Sequence, residues 1–194
     1  MSNISVMSRA ELICELIAPF HPASVAEAAA TYVSPDGLPV VAPCAALVSH
    51  KLAVAREILL RDLVHQMRSG PVLDSPALVR AWLKLHCAAL EHEVFIVLHL
   101  DVRNHLIQDE EMFRGTLTHT SVYPREVVKS ALAHNSAALV LAHNHPSGSP
   151  EPSAADHALT QALQQALALV DVRVIDHFIV AGDRTLSFAE QNLL

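Results

Sequence analysis

Residues 72–194 encode an α/β domain, a sheet with helices packed on it, and three features of the chain point there. Hydrophobic residues make up 52% of the 194-residue chain and charged residues only 17%, which excludes disorder and favours a buried core. From Glu93 onward the apolar pattern changes from a helical to an extended period. Short runs of branched and aromatic residues then alternate with amphipathic stretches, the signature of strands covered by helices.

The first third reads as helices. Ser24 with Glu27 forms a capping box ahead of an alanine-rich run, and Pro43 opens a longer amphipathic helix through about Met67. Ser69-Gly70-Pro71 breaks the chain and separates a helical N-terminal region, 1–70, from the domain at 72–194. Ser75-Pro76 caps a further helix over 77–90, with Leu78, Trp82, Leu85 and Ala89 at helical spacing. Residues 93–100 read as a buried strand, and 105–113 as a second strand after a turn at 101–104. Pro124 begins a helix ending near Asn135, whose Val127, Val128, Ala131 and Leu132 share a face. The apolar run 137–142 suits a central strand, and 153–170 carries a helical stripe from Ala155 to Leu167. Residues 172–180 and 185–188 close the sheet, giving a domain of about 120 residues.

Composition narrows the function classes. The formal net charge is −7, and residues 71–194 hold 8 basic against 14 acidic groups, so a phosphate-tracking surface is disfavoured. The apolar run 38–48 carries two prolines and is too short to cross a bilayer. Glu11 and Glu15 fall where a secretory signal needs apolar residues, so a soluble, cytoplasmic protein is expected. Cys14, Cys44 and Cys87 are scattered and odd in number, which argues against a disulfide framework or a thiolate metal site.

The chemistry concentrates in LAHNHPSGSPEPSAAD, residues 141–156. His143 ends a strand, His145 follows two residues on, a proline-rich loop turns the chain, and Ser153 starts a helix with Asp156 in its first turn. Two imidazoles and a carboxylate brought to one point make a three-ligand divalent metal site. Zinc, one ion per chain, suits the set and leaves a fourth corner for water, the arrangement of a catalytic site. Glu93, on the neighbouring apolar strand, is the candidate general base, and Ser153 the candidate donor to an oxyanion. Ser153 and Asp156 also make an ordinary helix start, with a serine cap and an acid favoured by the helix dipole. Asp176-His177 reads as a core or edge pair before it reads as support for a metal site, and Glu91 as solvated. His105, His119, His134 and His157 read as ordinary polar positions, and Glu110-Glu111 as a solvated face.

The order Glu93, then His143-x-His145, seven residues from Pro146 to Pro152, then Ser153-x-x-Asp156 resembles the JAMM motif of the MPN+ metalloproteases. Its flanks are similar to the RadC-like branch: Glu93-Val-Phe, Leu100-Asp101, Gly115-Thr116, Pro124-Arg-Glu-Val127, His143-Asn-His-Pro-Ser-Gly148, Asp176-His177 and Ser187-Phe188. The resemblance spans 72–194. It implies a cytidine-deaminase-like mixed sheet flanked by helices, zinc on His143, His145 and Asp156, Glu93 as acid and base, Ser153 at the oxyanion, and a peptide or isopeptide substrate. A non-catalytic RadC-like binding module associated with DNA repair or mobile DNA is the alternative. Residues 1–70 hold only Gly37 and Gly70, so the glycine-rich hairpin that grips a DNA backbone is missing from them. The missing Pro-Cys-x-x-Cys pair argues against a nucleoside deaminase. Alanine-rich apolar helices in 1–70 offer a homodimer surface.

Overall fold

A computed structural model describes residues 3–18, 42–115 and 122–194. The Ser24–Glu27 capping box and His119 lie outside these residues. The chain divides into two compact units, Met1–Asp62 and Leu63–Leu194.

In the first unit, helix α1 spans Arg9–Ile17, and helix α2, Ala42–Ser69, runs on into the second unit. Ser8 caps α1 reciprocally: its backbone N–H donates to Glu11 Oε2 at 2.7 Å, and Glu11 N–H donates to Ser8 Oγ at 3.3 Å. This box lies earlier in the chain than the expected one and has the same Ser-x-x-Glu spacing. Arg9 and Asp62 pair at 2.9 Å, and Leu12 and Val54 are buried.

The second unit is built on a five-stranded mixed sheet. Helix α3 (Pro76–Cys87) leads into strands β1 (Val94–Leu100) and β2 (Leu106–Arg114). Helix α4 (Pro124–Ala133), β3 (Ala138–Asn144), helix α5 (Ala154–Ala168), β4 (Arg173–Ala181) and β5 (Arg184–Ser187) follow. The spatial order is β2-β1-β3-β4-β5, antiparallel except for β3 and β4, which run parallel and are joined through α5. All seven residues of β1 and all seven of β3 are buried, as befits interior strands covered on both faces.

Side-chain alternation assigns the faces. Phe95, Val97, Leu139 and Leu141 meet Val127 and Ala131 of α4 and Leu163 and Leu167 of α5 in one core. Ala142 pairs with Phe178 and points the other way, and Arg80 of α3 lies 5.4 Å from the Phe178 ring centroid, so α3 covers the opposite face.

Two helix faces differ from expectation. On α3 the buried residues are Val79, Trp82, Leu83 and Cys87, so the face is rotated away from Leu78 and Leu85, and Ala89 is exposed. The Ser75 side chain makes no capping bond, and Pro76 alone pre-forms the first turn. On α5, Ala155, Ala158 and Ala162 are exposed while Thr160, Leu163 and Leu167 are buried. Alanine is neutral enough to widen an apolar stripe beyond the surface that packs.

Candidate metal centre

The site forms where three elements end. Phe95 pairs with His143 across β1 and β3, which sets the chain just before β1 beside the end of β3. Beyond β3, His145 N–H donates to Val180 O at 2.7 Å, and Gly148, at φ +80°, adopts the left-handed backbone that turns the loop. The Arg184 guanidinium donates to the Gly148 carbonyl and pins the turn. The loop then delivers Ser153 as the N-cap of α5.

Three ligand atoms converge there. His143 Nε2 lies 2.9 Å from His145 Nε2 and 3.2 Å from Asp156 Oδ1, and His145 Nε2 lies 3.6 Å from Asp156 Oδ2. Ligands bound at zinc-like lengths on a tetrahedron sit about 3.3 Å apart, so the spacing fits one divalent ion. His143 is buried, and His145 and Asp156 are half-buried.

Hydrogen bonds fix both tautomers. Thr160 Oγ1 donates to the Asp156 carbonyl at 2.7 Å, so its oxygen accepts from His177 Nδ1, also at 2.7 Å. His177 Nε2 then accepts from His143 Nδ1 at 2.9 Å, which leaves a lone pair on His143 Nε2. His145 Nδ1 donates to the Ser149 carbonyl at 2.8 Å, which leaves a lone pair on His145 Nε2. Two lone pairs and a carboxylate oxygen at these distances repel one another unless a cation, a proton or a metal, lies among them. That requirement, carried by the chain's own bonds, is why the donor set fits a metal.

Electrostatics agree. The hydrogen bond to Asp156 raises the His145 pKa, against the opposing effect of burial. Burial pushes the Asp156 carboxyl up, but the facing His143 and His145 rings, which donate to it when a proton sits on Nε2, outweigh it and hold the group well below the usual carboxylate range. Complete burial keeps His177 neutral, its pKa well below the ordinary value.

Glu93 is half-buried just before β1, and its charge is the smallest of the effects that raise the His145 pKa. Its backbone is held firmly. Asn144 Oδ1 accepts from Val94 N–H at 2.8 Å and Asn144 Nδ2 donates to the His92 carbonyl at 2.9 Å, bracketing Glu93 on both sides. The Ser153 hydroxyl donates to Asp156 Oδ2 at 2.7 Å, and Asp156 N–H donates to Ser153 Oγ at 3.2 Å, so the serine caps α5 and orients the aspartate. A cavity of about 500 Å³ borders His145, lined by Leu90, Glu91, Pro146, Gly148 and Gly182.

Sequence reasoning missed Asn144, Thr160 and the contact of His177 with His143. Asp176 does pack as a core residue, accepting from Ser187 Oγ at 2.7 Å, whereas His177 is both a core residue and the partner of His143. Glu110 keeps a partly exposed side chain, as a solvated face requires, yet it and His134 are more than isolated polar positions. Both converge with His99, because strand pairing and the end of α4 bring together residues that no sequence spacing connects.

The sequence has relatives among known proteins. The RadC-like JAB domain model matches residues 73–193. A UPF0758 protein of Herminiimonas arsenicoxydans is 58% identical over 144 residues, 74% of this chain and 64% of that protein. One from Acidovorax sp. is 60% identical over 144 residues, covering 74% and 60%, and one from Leptothrix cholodnii 54% identical over 160, covering 82% and 72%. This chain thus spans less than two thirds of the length of several of these relatives. Among the described residues, no helix is long and apolar enough to cross a membrane. With its mixed five-stranded sheet and a domain matched from residue 73 to 193, the chain belongs to the RadC-like JAB domain family.

Proposed function

We propose that this chain is a zinc-dependent hydrolase of amide bonds, a peptidase or isopeptidase, with its centre on His143, His145 and Asp156. The observation that carries this reading is the pair of Nε2 lone pairs facing each other at 2.9 Å beside Asp156, an arrangement that calls for a cation. Zinc supplies a Lewis acid that polarises a carbonyl and acidifies water.

The chain's own residues do the rest. The Glu93 carboxylate takes a proton from the attacking water and returns it to the leaving nitrogen, the acid–base exchange that amide cleavage needs. Asn144 keeps that carboxylate in place through the backbone on either side of it. The Ser153 hydroxyl, adjacent to Asp156, is the donor available to an oxyanion once a substrate draws it away. The cavity beside His145 gives the substrate chain a place to lie.

The test is a peptide and isopeptide cleavage screen on the purified chain, with and without a chelator, run beside Glu93→Gln. Chelation should abolish cleavage, and the variant should retain zinc while losing about 10²–10⁴ in rate. Cleavage that survives complete chelation, or a fully active Glu93→Gln, would end the proposal. Duplex binding equal in both proteins, with no hydrolysis, would favour a binding module instead.

A further inference from the structure

β1 meets the candidate metal centre near its first residue and carries a second group of metal-ligating side chains near its last. His99 on β1, Glu110 on β2 and His134 just beyond α4 each offer one ligand atom, and these lie within 4.8 Å of one another, the same closeness that defines the His143, His145 and Asp156 set. Three separate elements supply them, so the convergence comes from tertiary packing.

The local bonding orients the group. His99 is fully buried, with Nδ1 engaged by Ser136 Oγ at 2.9 Å, so Nε2 is the nitrogen that faces Glu110 Oε2, at 3.4 Å. That separation matches the edge of a zinc tetrahedron, about 3.3 Å. The His134 ring lies 4.4 Å from the His99 ring, centroid to centroid, and its Nδ1 donates to the Ser130 carbonyl at 3.0 Å, a bond that opens if the metal takes that nitrogen. The Ser130 hydroxyl occupies the middle of the group: it donates to Glu110, so its oxygen accepts from His99 Nε2 at 3.2 Å, and it lies 3.4 Å from His134 Nδ1; a metal bound here displaces the proton on His99 Nε2. A serine on a helix reaches another rotamer at low cost, so this small oxygen can either yield its position or remain as a fourth ligand. Two imidazoles, a carboxylate and a hydroxyl form a donor set that zinc accepts.

We propose that His99, Glu110 and His134 form a second divalent-metal site, suited to zinc, which clamps the sheet-edge strand β2 and the end of α4 to β1. Its position at the opposite end of β1 from Glu93 makes the role structural. Binding there adds to folding stability, because the unfolded chain does not assemble the three ligands. The proposal does not depend on the hydrolase reading.

The experiment loads the metal-stripped full chain with Zn²⁺ by equilibrium dialysis and counts bound metal in the parent, Asp156→Asn, His134→Ala and Glu110→Gln, each checked for folding by circular dichroism. Two zinc ions per chain are expected in the parent and one in each variant. His134 and Glu110 are both half-buried, so one variant carries the result should the other misfold. Metal content unchanged by His134→Ala and by Glu110→Gln would overturn the second site. A single ion in the parent that is lost in His134→Ala and kept in Asp156→Asn would uphold this site and sink the other.

Discussion

His177 meets His143 nitrogen to nitrogen at 2.9 Å, deep in the sheet, and thereby decides which nitrogen of the His143 ring carries a lone pair. The chain Thr160, His177, His143 transmits one hydrogen-bond direction from α5 through β4 to the end of β3. Breaking it should weaken metal binding without removing any ligand. His177→Ala is expected to lose about 10–100-fold in zinc affinity and Thr160→Val about 10-fold. Competition with a chromophoric chelator reads both, and parent-like affinity in His177→Ala would show that the tautomer needs no support.

Protons and metal compete for the same space among His143, His145 and Asp156. A raised His145 pKa means that the ring keeps its proton to a higher pH than an ordinary histidine, while the Asp156 carboxyl stays ionised well below the usual carboxylate range. Zinc affinity should therefore fall as pH drops through the raised His145 value, by up to about tenfold per pH unit in acid. The sign for the metal-free chain is opposite. Stability from the raised His145 is fully present below the ordinary histidine value of about 6.5 and is lost as pH rises through the folded value. The gain in melting temperature on adding zinc should thus widen between pH 5 and 8. A gain that narrows over this range would contradict the geometry.

The primary site was legible because its ligands are consecutive in sequence: a strand end, a seven-residue loop and a helix start hold His143, His145, Ser153 and Asp156 within fourteen residues. Chain connectivity sets their neighbourhood before any packing is known. Strand and helix order in 72–194 was legible for a similar reason, since side-chain period changes at each boundary. The helix faces were less so: alanines in α5 count as apolar in a pattern yet lie exposed. What stayed hidden needs pairing partners. Asn144 reads as a spacer between two ligands until β3 is laid beside the start of β1, 50 residues away in sequence. His99 and Glu110 meet only through strand pairing, and His134 only where α4 ends against them.

Buried His99 makes a separate prediction about acid. Burial, reinforced by the neighbouring His134 and opposed by Glu110, pushes its pKa down to about 4. The unfolded ring titrates near 6.5, so between these values the unfolded chain holds a proton that the folded chain does not. Stability therefore falls as pH drops through this window, by on the order of 3 kcal/mol in all. His177 acts in the same direction. Denaturant unfolding of metal-stripped His99→Leu should show a flatter dependence than the parent from pH 6.5 to 4. Identical slopes would mean that His99 is not held neutral in the folded state.

The amide of Asn144 should prove irreplaceable even by its nearest relative in shape. One oxygen accepts from Val94 N–H, and one nitrogen donates to the His92 carbonyl, with the Leu90 carbonyl at 3.5 Å. Alanine would strand a buried donor and acceptor, at a cost of about 1–3 kcal/mol in unfolding free energy. Aspartate keeps the acceptor but turns a charged oxygen toward the His92 and Leu90 carbonyls, so Asn144→Asp should be at least as destabilised as Asn144→Ala. Both variants should still bind zinc, because the ligand atoms lie on the flanking residues. Any amide hydrolysis should fall further than metal occupancy, since the segment that carries Glu93 loses its bracket. Denaturant unfolding, zinc content and cleavage rate on the same preparations separate these effects, and an Asn144→Asp protein as stable as the parent would show that the bracket does not hold Glu93 in place.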